Sequence, residues 1–125
     1  MHENEIAKII VNTCFKIHKK LGPGLLESVY ETVLCYELRK LGLFVERQKE
    51  IGLIYDDIKM EIGFRADLIV EHKVIVELKS VQAMHPVFFK TLLTYLRLTE
   101  KKLGLLINFN EVLIKDGIKR VANGL

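Results

Sequence analysis

Residues 64–70 and 74–81 are two runs of β-forming side chains separated by the polar triplet Glu71-His72-Lys73, and ionisable residues stand in the middle of both. The pattern is that of a β-hairpin with a short loop. Asp67, Glu77 and Lys79 are otherwise surrounded by Ala, Leu, Ile and Val. An ionised group in such company costs several kcal/mol unless it is paired or binds a metal, so the chain must fold in a way that compensates all three. Strand side chains alternate between faces, and the register therefore decides which of them meet. Asp67 and Glu77 are equidistant from His72. A three-residue loop of Glu71, His72 and Lys73 makes them cross-strand neighbours on one face, at a Cβ spacing of about 5 Å. Lys79, two residues past Glu77, projects from that face as well. A two-residue loop would send Asp67 to the opposite side.

The remaining chain supplies the frame for this hairpin. In residues 3–21 the apolar positions Ile6, Ile9, Ile10, Cys14 and Ile17 recur at steps of three and four, which predicts an amphipathic helix. Gly22-Pro23-Gly24 ends it. A second helix is expected over residues 25–41, carried by Leu26, Val29, Tyr30, Val33, Leu34, Leu38 and Leu41, with Gly42 as its stop. The period then changes to two: residues 44–55 read as one strand or a bent pair, followed by a turn at Asp56-Asp57. Pro86 opens a third helix to about Thr99, with His85 at its start. Residues 103–109 are almost wholly apolar, as in a strand buried on both faces. Asp116-Gly117 predicts a small terminal hairpin. The expected architecture is an α/β domain over residues 1–125 with a mixed central sheet flanked by helices, in the order helix, helix, three strands, helix, strand and terminal hairpin. With 125 residues, half of them hydrophobic, the chain has enough material for one core.

Composition narrows the classes further. No apolar run approaches the roughly 18 residues that cross a bilayer, and the N-terminus lacks the order of a signal peptide, so a cytoplasmic location away from membranes is expected. Cys14 and Cys35 lie in the helical segments without the close spacing of a metal knuckle and read as buried thiols. The net charge of +3 permits a polyanionic partner without requiring one.

Two carboxylates at cross-strand spacing repel and push one pKa upward unless a cation sits between them, and hard divalent ions such as Mg²⁺ (or Mn²⁺) take oxygen ligands of this kind. With a lysine alongside, the trio suits phosphoryl chemistry, in which Lys79 orients a water or stabilises developing negative charge. A structural cluster of buried charges satisfies the same spacing. Glu27 falls between Leu34 and Leu38 on the helical wheel, at the edge of the apolar arc, where a carboxylate can reach a site or simply favour the helix dipole. Arg65, two residues before Asp67, can meet a phosphate or a neighbouring carboxylate. His18 reads as a residue of the helix end, and Lys101 and Lys102 as a solvated turn.

The string Gly24-Leu25-Leu26-Glu27-Ser28-Val29-Tyr30 resembles the Gly-x-x-Glu-x-x-Tyr signature of the GxxExxY protein family. The likeness extends through Val11, His18, Leu21-Gly22-Pro23-Gly24, Arg65-Ala66-Asp67-Leu68, Val76-Glu77-Leu78-Lys79, Leu92-Leu93-Thr94-Tyr95-Leu96 and Gly104-Leu105-Leu106-Ile107-Asn108-Phe109. That family is similar to the PD-(D/E)XK nucleases, and the resemblance implies a restriction-endonuclease-like core with Asp67 and Glu77 on a metal and Lys79 as the motif lysine. It also implies Glu27 as the supporting helical acid and the Leu78 carbonyl as a further ligand. The substrate side is expected at Arg65, Tyr30 and Tyr95, the substrate being DNA or a related nucleic acid. A second copy or a partner subunit would enlarge the grip of so small a domain. One position departs from the pattern: Thr91 stands where relatives carry a glutamine four residues before the tyrosine of the third helix, and a hydroxyl does not replace an amide's paired donor and acceptor. The other class of function open to such a chain is a catalytically silent binding module that keeps the fold.

Overall fold

Both helical periodicities are realised. In the computed structural model, which describes residues Met1–Leu125, helix α1 spans Glu3–Leu21 and α2 spans Glu27–Lys40. The imidazole of His2 accepts from Asn4 N and the Glu5 carboxylate takes up His2 N, so the first turn of α1 is capped from both directions. Gly42, at φ 88°, supplies the left-handed turn that stops α2. The link between the helices is held from within by Tyr30: its hydroxyl donates to Gly22 O at 2.6 Å and accepts from Leu25 N at 3.1 Å. Its ring, fully buried, stacks on Phe109 at 4.4 Å. The start of α2, and with it Glu27, is thereby tied to the body of the protein.

The sheet has five strands: β1 Val45–Tyr55, β2 Ile58–Val70, β3 Val74–Lys79, β4 Leu103–Asn108 and β5 Ile118–Ala122, in spatial order β1-β2-β3-β4-β5. Helix α3, Pro86–Thr99, is the crossover that makes β3 and β4 parallel, while the other pairs are antiparallel, so the sheet is mixed. Every residue of β4 is buried, which is the fate of a strand covered on both faces. The larger core lies between one face of the sheet and α1 with α2, containing Ile10, Leu34, Leu68, Val76 and Leu105 among others. A smaller one, with Ala66, Ile69, Ile75, Leu92, Leu96 and Leu106, lies under α3. Both cysteines are buried and free, and burial pushes the Cys14 thiol far above its ordinary value, out of reach of thiolate chemistry.

Two expectations are corrected. Of the two readings open for residues 44–55 the structure gives one strand, Val45–Tyr55, but the next strand does not start at Phe64: β2 begins at Ile58, because Ile58, Met60 and Ile62 alternate with Lys59 and Glu61 and extend the pairing back to the Asp56-Asp57 turn. Residues 112–114 form no strand: Ile114–Gly117 is a 3₁₀ turn, and β5 pairs with β4. Asp116-Gly117 is therefore no hairpin turn. The glycine is there because a Cβ at position 117 would collide with the Asn108 carbonyl.

The β2–β3 loop has the expected three residues, with Val70 opposite Val74, Ile69 opposite Ile75 and Leu68 opposite Val76. That ladder ends at Leu68. The β1–β2 ladder also skips a step there, passing from Arg47–Leu68 to Lys49–Ala66. The skipped residues are Gln48 and Asp67, and Gln48 adopts φ 49°, a left-handed conformation uncommon outside glycine. The faces exchange at this point. Leu68 packs into the larger core while Ala66, two residues away, packs into the smaller one, although an undistorted strand would place both on one side. Asp67 thus occupies the place where β2 parts from β3 and misses one pair with β1.

Tyr30→Phe should lower the stability of the fold by about 1–2 kcal/mol in urea denaturation, because it leaves Gly22 O and Leu25 N without their partner. An unchanged midpoint would show that the hydroxyl does not clamp the link.

Candidate active site

Where the ladder stops, side chains take over the strand pairing. The Asp67 backbone N–H donates to Glu77 Oε2 at 2.7 Å, and the Leu78 backbone N–H donates to Asp67 Oδ2 at 2.9 Å. Each carboxylate therefore binds the main chain of the other's strand, and the acids of the hairpin come together as the register requires. Lys79 projects beside them, with its ammonium 4.3 Å from the centre of the Phe88 ring. Its charge reaches both acids and opposes the rise of their pKa values, yet it makes no ion pair with either.

Helix α2 brings two more acids to the opening. Glu27, exposed in its first turn, and Glu31, one turn on, line a cavity of about 220 Å³ together with Ser28, Gln48, Asp67 and Leu78. Glu31 is buried and accepts from Arg47 Nε at 2.8 Å and from Gln48 Nε2 at 2.6 Å. The same Gln48 amide nitrogen donates to Asp67 Oδ1 at 3.3 Å. One neutral amide thus serves two carboxylates, each of which, when ionised, can only accept. The left-handed backbone at residue 48 is what turns this side chain off the strand and into the cavity.

Electrostatically the site is under tension. Burial raises the pKa of Glu77 to about 8, the negative charge of Asp67 adds to the rise, and the Asp67 N–H and Lys79 oppose it. Burial also raises Asp67, with Glu31 acting in the same sense and the Leu78 N–H, Lys79 and Gln48 against it. Tyr95 of α3, stacked on Phe64 at 4.0 Å, has its hydroxyl held above the ordinary range by burial and by the charges of Glu77 and Asp67. That dependence puts it within electrostatic reach of the acids from the α3 side. In this conformation no three Asp, Glu, His or Cys side chains close on a common point.

Asp67, Glu77, Leu78, Lys79 and Glu27 are therefore gathered around the C-terminal end of β3, with Tyr95 in electrostatic reach of the two strand acids. Tyr30 is not. It is fully buried, both sides of its hydroxyl are engaged, and a substrate contact through it is ruled out. Arg65 pairs with Glu50 of β1 at 3.4 Å and is exposed, so of the two partners open to it the structure supplies the carboxylate. Thr91 is exposed on α3. His85 caps α3 through Val87 N, and His18 is bonded to Glu111 O, each ring in a structural position. Glu31 and Gln48 were not foreseen. Glu31 had a visible signal, an acid four residues after Glu27 on the buried arc of α2, whereas nothing in the string Arg47-Gln48-Lys49 announces a left-handed residue.

In comparison with known proteins, the sequence model of the PD-(D/E)XK nuclease superfamily matches residues 4–121, from α1 into β5. No curated protein and no solved structure matches the chain. The five-stranded mixed sheet with its three helices is consistent with the restriction-endonuclease-like fold of that superfamily.

Two measurements bear on the site as a strained assembly. Folded Glu77 keeps its proton to about pH 8, whereas the unfolded residue releases it near its ordinary 4.5. The folded state then binds more protons between these values, and stability falls as pH rises through that window, by up to a few kcal/mol. In EDTA, urea denaturation of Glu77→Gln should show a flatter profile from pH 5 to 8 and a gain at the alkaline end; parallel profiles would contradict the buried-acid assignment. At position 48, Gly and Ala both remove the amide, but only Gly accepts the left-handed backbone without strain. Gln48→Gly should be roughly 1 kcal/mol more stable than Gln48→Ala, and equal midpoints would mean that the backbone relaxes.

Proposed function

Because this chain belongs to the PD-(D/E)XK nuclease superfamily, we propose that it is a divalent-metal-dependent nuclease that hydrolyses phosphodiester bonds of DNA or a related nucleic acid, and that it is a GxxExxY protein within that superfamily. The observation that carries this reading is the clasp of Asp67 and Glu77 across the parted strands, with Lys79 two residues on. The donor set suits a hard cation: each acid keeps one carboxylate oxygen out of the clasp, and their ionised forms oppose one another until a positive charge arrives. Mg²⁺ keeps several waters and is commonly held by only one or two carboxylates, so two protein acids suffice. Mn²⁺ would be accepted by the same oxygens.

Asp67 and Glu77 would hold the ion. The Leu78 carbonyl would join them, since a strand residue directs its N–H and C=O to the same edge and the Leu78 N–H already faces Asp67. Glu27, on the cavity wall, would act through water. A bound cation of this kind polarises a phosphoryl oxygen and makes a bound water more acidic. Lys79, free of any ion pair, would orient the attacking water or meet developing negative charge. Tyr95 would stand on the substrate side. With Thr91 exposed and short, the amide near the acids is supplied by Gln48 instead. A cytoplasmic location, and a second copy or partner subunit for gripping longer substrates, complete the reading.

A second reading has one observation in its favour: the two carboxylates replace the missing ladder bonds, as they would in a silent binding module that keeps its charges for structure. Titration calorimetry with Mg²⁺ or Mn²⁺ separates the two. The wild type should give heat that disappears in Asp67→Ala, together with divalent-dependent cleavage of labelled DNA. A flat wild-type titration, or equal heat from the variant, removes the metal claim. In EDTA, Asp67→Asn should raise the melting temperature if the acids are kept for catalysis, and a large drop would favour the structural reading.

A further inference from the structure

Glu27, Glu31, Asp67 and Glu77 surround the site, and a polyanion approaching four carboxylates must be held by cations placed beside them. Those cations lie along one wall. A groove of about 420 Å³ between α2 and the start of β1 is lined by Thr32, Cys35, Tyr36, Arg39, Lys40 and Arg47, three cations and no acid. It continues the acidic cavity along the same two elements, since Glu31 and Thr32 are consecutive on α2 and Gln48 and Arg47 are consecutive on β1. Arg47 joins the two spaces physically, through Nε to Glu31 at 2.8 Å and Nη2 to the Thr32 hydroxyl at 2.7 Å.

The arginines are held in place. Arg39 donates from Nη2 to Val45 O at 2.8 Å, and Arg47 is fixed at two nitrogens, so each guanidinium loses little further freedom when its remaining N–H groups meet a phosphate. Lys40 lies 5.1 Å from the centre of the Tyr36 ring and shares Glu37 at 3.6 Å, which leaves most of its ammonium in solvent. Tyr36 is 62% exposed. A basic track with an aromatic ring open to solvent is the surface that single strands use, the backbone following the cations and a base stacking on the ring. From Glu31 to Lys40 the helix rises about 13 Å, room for about four phosphates at the spacing of a stacked strand.

We propose that the groove between α2 and β1 carries the phosphate backbone of a single-stranded nucleic acid to the carboxylates, with Arg39, Lys40 and Arg47 on phosphates and Tyr36 under a base. This rests on the nuclease reading and adds the path and strandedness of the substrate. The path runs along α2 from its C-terminal end toward its first turns, so Glu27 and Glu31 stand at its far end, where the reacting phosphate would leave the cations and meet the acids.

The test is fluorescence anisotropy of a labelled single-stranded oligonucleotide and of the same sequence as a duplex, in EDTA so that nothing is cut, over a range of salt. Arg39→Ala/Lys40→Ala should weaken single-strand binding at least tenfold and reduce the slope of log K against log salt by about 1.4, two phosphate contacts at about 0.7 each. Tyr36→Ala should weaken binding several-fold with the slope unchanged. Lys19→Ala/Lys115→Ala, on the separate cavity between α1 and the 3₁₀ turn, serves as the control and should change neither. Lys40→Glu alone keeps the test open if removing Arg39 disturbs the fold, because the Lys40 side chain is 54% exposed; it too should weaken binding. Wild-type binding that survives the groove variants, or that falls equally in the control, overturns the groove while leaving the nuclease reading in place. Loss on the duplex alone overturns the single-strand assignment. A wild type that binds neither probe at low salt brings down both.

Discussion

The arrangement at Asp67 is a place where backbone hydrogen bonding is handed over to side chains. A strand that parts from its neighbour leaves N–H groups facing a desolvated interior, and unpaired groups there cost about as much as a lost hydrogen bond each. The Glu77 carboxylate meets the N–H of residue 67, and the Asp67 carboxylate meets that of residue 78. The acids therefore have a structural job that holds them in position, and the same job forces two ionisable carboxyl groups into a half-buried space. The proposed chemistry and the architecture would use the same atoms. This explains how the sheet tolerates carboxylates among its aliphatic residues without an ion pair to Lys79.

The two helical layers make unequal contributions to this point. The larger core, under α1 and α2, fixes the helix that carries Glu27 and Glu31, and Tyr30 locks the start of that helix to Gly22 and Leu25. The smaller core, under α3, holds Phe64 and Tyr95 in a stack beside the acids. The site sits where the strand alternation inverts, so it is open to both layers: one face of the acids looks to α2 and the other to α3. A regular strand at residues 66–68 would have presented Asp67 to only one of them.

Much of this was legible in the chain itself. The hairpin register followed from a period of two and a three-residue polar loop, and once it was known the meeting of Asp67 and Glu77 was a matter of counting. The bounds of α1, the crossover helix and the doubly buried β4 followed from apolar spacing. What could not be read has a common physical character, dependence on tertiary contact. Tyr30 stands in a signature beside Glu27 and was expected at the substrate, yet its hydroxyl is consumed by the link it closes. Asp116-Gly117 has the composition of a hairpin turn, but the glycine answers to a close approach of the Asn108 backbone. Gln48 is left-handed between Arg47 and Lys49, which both pair with β2, and the residue type gives no hint of it.

Gln48 also bears on the departure at Thr91. An amide is useful near paired carboxylates because it is neutral, carries two donors on one nitrogen, and can bind two acids without cancelling the charge that a cation would need. Lysine or arginine in its place would satisfy the acids so well that a metal ion would have to displace a full positive charge. At position 48 the amide holds Glu31 closely, at 2.6 Å, and Asp67 loosely, at 3.3 Å. The Arg47 guanidinium already neutralises Glu31 from its other side. The acids left without a full countercharge are then Asp67 and Glu77. On this account the chain does not need a glutamine on α3 to organise its acids, because the amide comes from β1, at the left-handed residue where the β1–β2 ladder misses one pair.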